Sequence, residues 1–358
     1  MNSESHGADI YGASEIFGIN EDDIIDFSSN INPLGIPENV QEAIIRSVKY
    51  SNRYPDINSR ELIKGLSNYE KVPENWIFCS NGAAEAIFRI ALSIIPQNAL
   101  LTSPTFSEYE QSLKTVGTDI KYFALEEEND FKLTDNIINS IKIDTDIVFI
   151  CNPNNPTGQI ADKILLEKII SHCKLMNTTI VIDECFMDFV EDKEKYSTID
   201  LMEKYNNLIV LRAFTKIYAI PGIRLGYCMS SNTNTISFIK KSGPPWNVST
   251  IAQAAGVASL KETDYVTKSV LYVKKQRQYV TDEMNKLNIK LYESYANYIF
   301  FKLTDDLNLY EELLKRGILI RNCSNYRNLD DSFYRIAVKS EFENKILIEN
   351  LKEIIGNK

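Results

Sequence analysis

Short apolar runs alternate with amphipathic stretches through the middle of the chain, and this alternation restricts the fold more than any other feature. Residues 146–151 (Asp-Ile-Val-Phe-Ile-Cys), 178–182 (Thr-Thr-Ile-Val-Ile) and 208–211 (Leu-Ile-Val-Leu) read as buried strands. Between the first two, residues 162–177 place Ile164, Leu165, Ile169 and Cys173 at helical spacing. Residues 81–95, opened by Ser80-Asn81-Gly82, read as a buried helix. Strands that are apolar nearly throughout, separated by helices, call for a mostly parallel sheet covered on both faces. The expected fold class is therefore α/β, with a large domain over residues 46–245. Gly243-Pro244-Pro245-Trp246 breaks the pattern and reads as a hinge. Beyond it come one long helical stretch (249–287), strands at 298–303, 318–321 and 334–338, a helix at 309–316 and a terminal helix. Residues 246–358 thus read as a smaller α+β domain, onto which residues 1–45 are expected to pack.

Composition removes several classes of function. Lys and Arg number 39 against 49 Asp and Glu, a net charge of -10, which repels a nucleic-acid backbone unless a basic patch is set apart. The densest basic stretch, Lys274-Lys275-Gln276-Arg277, is short and reads as a solvated helix face. No apolar run is long enough to span a membrane. The first residues, Met1 to His6, are polar and lack the apolar core of a signal peptide. The six cysteines form no C-x-x-C pair, and several lie in apolar runs, so buried reduced thiols of a cytoplasmic protein are expected. With His6 and His172 as the two histidines, no multi-histidine metal centre is expected. Neither a G-x-x-x-x-G-K-[ST] loop nor a G-x-G-x-x-G turn is present.

In open α/β sheets, ligands collect at the carboxyl ends of the strands. The first strand runs into Asn152-Pro153-Asn154-Asn155-Pro156-Thr157-Gly158, the second into Asp183-Glu184, and the third into Arg212-Ala213-Phe214-Thr215-Lys216. Arg224 follows eight residues after the lysine. One mouth of the sheet thus gathers an amide, a carboxylate, a lysine and an arginine. Ser80-Asn81-Gly82 adds a helix N-terminus whose free N–H groups suit a phosphate. A lysine there forms a Schiff base with an aldehyde if desolvation leaves its amine partly neutral. A buried Asp183 calls for a cation, and a protonated pyridine nitrogen is one. Arg224 suits a phosphate dianion, and Asn155 can donate to a phenolate oxygen. Taken singly, a lysine after a strand is ordinarily a solvated loop residue, and Asn-Pro-x-Asn-Pro a rigid turn. Taken in order, the set specifies pyridoxal 5'-phosphate.

These motifs resemble the fold-type I aminotransferase superfamily of pyridoxal phosphate enzymes, over essentially the whole chain. The resemblance implies a large domain with a mostly parallel central sheet and a smaller α+β domain. It makes Lys216 the cofactor-binding lysine and Asp183 the partner of the ring nitrogen. It assigns Asn155 to the ring oxygen, and Thr215, Arg224 and the Gly82-Ala83 amides to the cofactor phosphate. Tyr54, in Arg53-Tyr54-Pro55, matches a tyrosine that reaches the cofactor phosphate of a neighbouring subunit, which implies a homodimer with shared sites. Arg335, in Tyr334-Arg335-Ile336, matches the arginine that grips the substrate α-carboxylate. Two positions depart from the pattern: Phe186 stands where many relatives carry a tyrosine, and Ala213 where many carry a phosphate-binding serine.

Within the superfamily, two branches are similar to the chain: histidinol-phosphate aminotransferases and threonine-phosphate decarboxylases. His6-Gly7-Ala8-Asp9, Asp26 to Gly35, Asn81 to Glu85, Asp183 to Phe189, Pro244 to Val248 and Ile320 to Ser324 look more like the decarboxylases, whereas Ala8 and Asn322 depart from them. That branch implies decarboxylation of L-threonine O-3-phosphate in cobalamin biosynthesis. The alternatives are transamination, with histidinol phosphate the leading substrate, and decarboxylation of phosphoserine. A substrate with a carboxylate and a phosphate needs two anion sites, which Arg335 and Arg321 can supply, with His6, Asn32 and Asn155 beside them.

Overall fold

The computed structural model describes residues 7, 9–305 and 307–356. Strand β1 (Ile25–Asp26) precedes the main sheet. The main sheet is built from β2 (Ile77–Ser80), β3 (Asn98–Ser103), β4 (Asp119–Ala124), β5 (Ile147–Cys151), β6 (Thr179–Asp183), β7 (Leu208–Ala213) and β8 (Gly226–Met229). Then follow β9 (Lys290–Leu291), β10 (Tyr298–Lys302), β11 (Ile318–Leu319), β12 (Arg321–Asn322) and β13 (Phe333–Ala337). The seven-stranded sheet has the order β2-β8-β7-β6-β5-β3-β4. Strands β3 to β7 are parallel, while β8 is antiparallel to both β2 and β7. β2 therefore runs with the parallel strands, and their carboxyl ends share one edge.

The strand residues alternate between two apolar cores. On β5, Val148 and Ile150 enter one core, and Ile147, Phe149 and Cys151 the other. Ile180 and Ile182 against Val181 repeat this on β6, and Leu208 and Val210 against Ile209 and Leu211 on β7. Both faces are thus roofed by helices, which is why the strands lack polar alternation. Helix Lys163–Leu175 sends Leu166, Ile169, Ile170 and Cys173 to the first core. Helix Gly82–Ile94 sends Ala86, Ile87, Ile90 and Ala91 to the second. Each fully buried Leu, Ile or Val contributes about 1.5–3 kcal/mol.

The stretch 249–287 forms two helices, Thr250–Ser259 and Thr263–Met284, not one. Between them Lys261 N and Glu262 N bond back three residues, to the Ala258 and Ser259 carbonyls, so the chain turns tightly there. The single strand expected at 318–321 also divides. β11 pairs in parallel with β1, whereas β12 joins the four-stranded sheet β12-β13-β10-β9. Pairing with β11 lays residues 25–27 beside the small sheet, and the Ala337 N–H bonds the Phe27 carbonyl at 2.7 Å. Glu127, just after β4, accepts from Lys290, Tyr292 and Lys302 at 2.8, 2.8 and 2.9 Å and ties that sheet to the large one. No described helix is long and apolar enough to cross a membrane.

Candidate active site

A cleft opens at the carboxyl edge of the main sheet, walled on its far side by the small sheet and residues 28–30. β7 ends at Ala213, and helix Phe214–Ile217 starts at once, so Lys216 lines the cleft with Asp183 from the end of β6. Among the described residues, the Lys216 ammonium has no hydrogen-bond or ion-pair partner. Burial, with the Arg335 and Arg224 guanidiniums nearby, presses its ammonium down from 10.5 to about 8. At pH 7 roughly one amine in ten is then neutral, against about one in three thousand for an ordinary lysine.

Asp183 is only 4% exposed. Tyr109 donates its hydroxyl to Asp183 Oδ2 at 2.6 Å, and the Cys185 N–H donates to Oδ1 at 2.9 Å. Burial still pushes the carboxyl above its usual range, against those donors and the Arg212 charge. Among the described residues it has no ion-pair partner, so a cationic group in the cleft is what would stabilise its charge. Phe106 and Phe186 line the same cleft, and Phe186 stands edge-on to Tyr298 at 5.1 Å. Position 186 therefore contributes an apolar wall and no hydroxyl.

One end of the cleft is built on β2. Gly82, at φ +77, starts the helix after Asn81, and a Cβ there would sit 2.6 Å from Arg224 Nη2. The left-handed backbone favours glycine here, and the missing Cβ leaves room for that guanidinium. Ala83, Thr215 and Arg224 line the cleft around it. These groups can hold a phosphate at a helix N-terminus. Ala213 lines the cleft as well and, lacking a hydroxyl, adds no donor.

The opposite wall carries two arginines. Arg321 on β12 and Arg335 on β13 are direct partners in an antiparallel pair. They are 8% and 5% exposed. Like charges placed opposite each other destabilise a sheet unless something neutralises them. Arg335 Nη1 donates to Asn155 Oδ1 and Nη2 to the Ser28 carbonyl, while Nε is buried without a partner and no carboxylate among the described residues pairs with it. With Asn155 Oδ1 so engaged, its Nδ2 remains as the donor to a bound group. Among the described residues, four cations (Lys216, Arg224, Arg321, Arg335) and two carboxylates (Glu108, Asp183) line the cleft, a positive balance in a chain of net charge -10.

Two other expected residues, Asn32 and Tyr54, lie elsewhere. Asn32 does not line the cleft: its Nδ2 bonds the Ile217 carbonyl and Ser269 Oγ, both at 2.7 Å, and its N–H the Lys216 carbonyl at 3.1 Å. It braces the lysine turn from behind. Asn30, two residues earlier, lines the cleft and keeps a buried Oδ1 without a partner. Tyr54 is 78% exposed, lies against Trp246 at 4.7 Å and does not line the cleft of its own chain. His6 lies outside the described residues; Gly7 lines the cleft, where a Cβ would come 3.5 Å from Arg335 Nη2.

Comparison with known proteins matches this arrangement to a family. The model of the aminotransferase class I and II family fits residues 22–351. The chain belongs to this family. Among family members, threonine-phosphate decarboxylase of Salmonella typhimurium is 34% identical over 99% of this chain and 97% of its own length. Histidinol-phosphate aminotransferase of Methanococcus aeolicus is 31% identical over 95% and 92%. The crystal structure of histidinol-phosphate aminotransferase from Clostridium acetobutylicum superposes with a TM-score of 0.87 at 35% identity, covering 93% of this chain and 99% of that one.

Proposed function

We propose that this family member is a pyridoxal 5'-phosphate-dependent lyase that decarboxylates L-threonine O-3-phosphate to (R)-1-amino-2-propanol O-2-phosphate, a step in building the cobalamin side arm. The residues present fit the cofactor. The glycine cradle under Arg224 suits its phosphate, the unpaired Asp183 suits its ring cation, and Lys216 suits its aldehyde. Bound there, the cofactor supplies an electron sink for the bond being broken at the α-carbon.

The observation that carries the substrate reading is the cross-strand pair Arg321–Arg335. Two buried arginines opposite each other in register suit a ligand with two anions, a carboxylate for Arg335 and a phosphate for Arg321. Asp183 would face the ring cation, the Lys216 amine, whose pKa burial lowers to about 8, would take up and return protons, and Phe106 and Phe186 give that wall an apolar surface. The 34% identity to the Salmonella decarboxylase over nearly the full length supports the same reading.

A homodimer accounts for Tyr54, which is exposed in its own chain and is read as completing the phosphate site of a second copy. Free cysteines at all six positions suit the cytoplasm. The second reading is transamination of a substrate such as histidinol phosphate, favoured by the 35% identity to the Clostridium acetobutylicum structure. Phosphoserine, lacking one methyl, is discriminated by only about 1–3 kcal/mol. The test is to incubate the protein with pyridoxal phosphate and L-threonine O-3-phosphate without any 2-oxo acid. The lyase releases carbon dioxide and the amino alcohol phosphate. Turnover that waits for 2-oxoglutarate contradicts it.

A further inference from the structure

Residues 325–328, in the loop after β12, form a strap between the small sheet and the large one. The first two hold Arg321. Asn325 Oδ1 accepts from Arg321 Nη2 at 2.7 Å, and the Tyr326 ring lies 5.4 Å from its guanidinium, with the Tyr326 hydroxyl 3.4 Å from Asn155 Oδ1. The next two grip the main sheet. Arg327 lies 3.9 Å over the Tyr122 ring of β4, and its Nη2 is 3.3 Å from the Tyr122 hydroxyl and 3.4 Å from Glu110 Oε1. Asn328 Nδ2 donates to Ser103 Oγ, at the end of β3, at 2.9 Å. Four consecutive residues therefore fasten the guanidinium on one side and the sheet edge on the other.

We propose that Arg327 is a positioning residue for substrate recognition. By anchoring the strap on Tyr122 and Glu110 it fixes the Arg321 guanidinium, and so sets the affinity for the phosphate group of the substrate. This rests on the reading of Arg321 as the phosphate ligand. Arg327 does not line that cleft but an adjoining pocket that it shares with Arg321 and Tyr326, and its side chain is 49% exposed, so replacing it opens no hole in the core. A flexible arginine placed by its own backbone alone would lose rotamer freedom each time it bound an anion, and the strap removes that loss beforehand.

The experiment compares L-threonine O-3-phosphate with unphosphorylated L-threonine on the loaded enzyme. In Arg327→Ala, KM for the phosphorylated substrate rises about tenfold while kcat changes far less, and the preference for it over threonine falls by a similar factor. Arg327→Lys, which restores a cation over the ring, recovers much of that preference. The cofactor absorbance spectrum stays that of the parent. Arg327→Ala with the parent's KM and preference, or with equal losses on both amino acids, overturns the proposal. Arg321→Ala separates the two claims. If it abolishes the preference while Arg327→Ala leaves it intact, the strap fails alone; if it too leaves the preference intact, the phosphate reading of Arg321 fails with it.

Discussion

Tyr109, in the helix after β3, donates its hydroxyl to Asp183 at the end of β6 across 2.6 Å, with its own ring stacked on Phe149 at 5.0 Å. The phenol has no role at the surface of the cleft. It holds a carboxylate that burial drives toward its neutral form. Tyr109→Phe keeps the stacked ring and removes the donor, which is worth about 1.5–3 kcal/mol when the acceptor is charged. The dissociation constant for pyridoxal phosphate, read from its absorbance, should rise about tenfold or more. Asp183→Asn should weaken it further.

Lys216 gives a prediction in the cofactor-free protein. Its folded pKa of about 8 lies below the ordinary 10.5, so below pH 8 the native state bears the burden of a buried ammonium. The unfolded chain binds more protons between those values, so this group's contribution to stability rises from pH 8 to 10.5. Lys216→Met should therefore stabilise the apoprotein at pH 7 by up to about 3 kcal/mol in urea unfolding. The advantage should shrink as pH climbs toward 10.5. An apoprotein destabilised by the substitution would show that the amine is not under that strain.

Behind the site, Arg212 is buried against Glu184 Oε2 at 3.0 Å and Asp188 Oδ1 at 3.2 Å, and Ser197 and Thr198 bond Glu184 as well. Arg212→Met leaves the buried Glu184 carboxylate without its cation, while Asp188 keeps Lys193 at 2.9 Å, so it should cost about 3–5 kcal/mol of unfolding free energy. The same change on exposed Arg46, paired with Glu42, should cost under about 1 kcal/mol.

Arg335→Lys keeps the charge but cannot reproduce the paired contacts to Asn155 and the Ser28 carbonyl. Substrate KM should rise at least about tenfold with the cofactor still bound. An unchanged KM would place the carboxylate elsewhere.

Much of this was legible in the sequence because two signals do not depend on tertiary context. β5, β6 and β7 are apolar nearly throughout, and the polar residues that follow them gather at one edge whatever the details of packing. β8 was missed because Gly226-Tyr227-Cys228-Met229 is four residues long and antiparallel, and the helix before it, Phe214–Ile217, is too short to mark a repeat. The irregular segment Asn30-Ile31-Asn32 has no period, so nothing in its order says that Asn30 faces the cleft while Asn32 turns back to Ile217. The opposition of Arg321 and Arg335 arises from strand register, and the strap from residues 122 and 327, which lie far apart in the chain.

The most direct measurement uses L-threonine O-3-phosphate carrying deuterium on the α-carbon. Decarboxylation breaks the bond to the carboxylate and leaves the α-hydrogen in place, so the aminopropanol phosphate should retain the label in full as carbon dioxide is released. Loss of the label to solvent, with an oxo product and no carbon dioxide, would contradict the account and make the protein a transaminase.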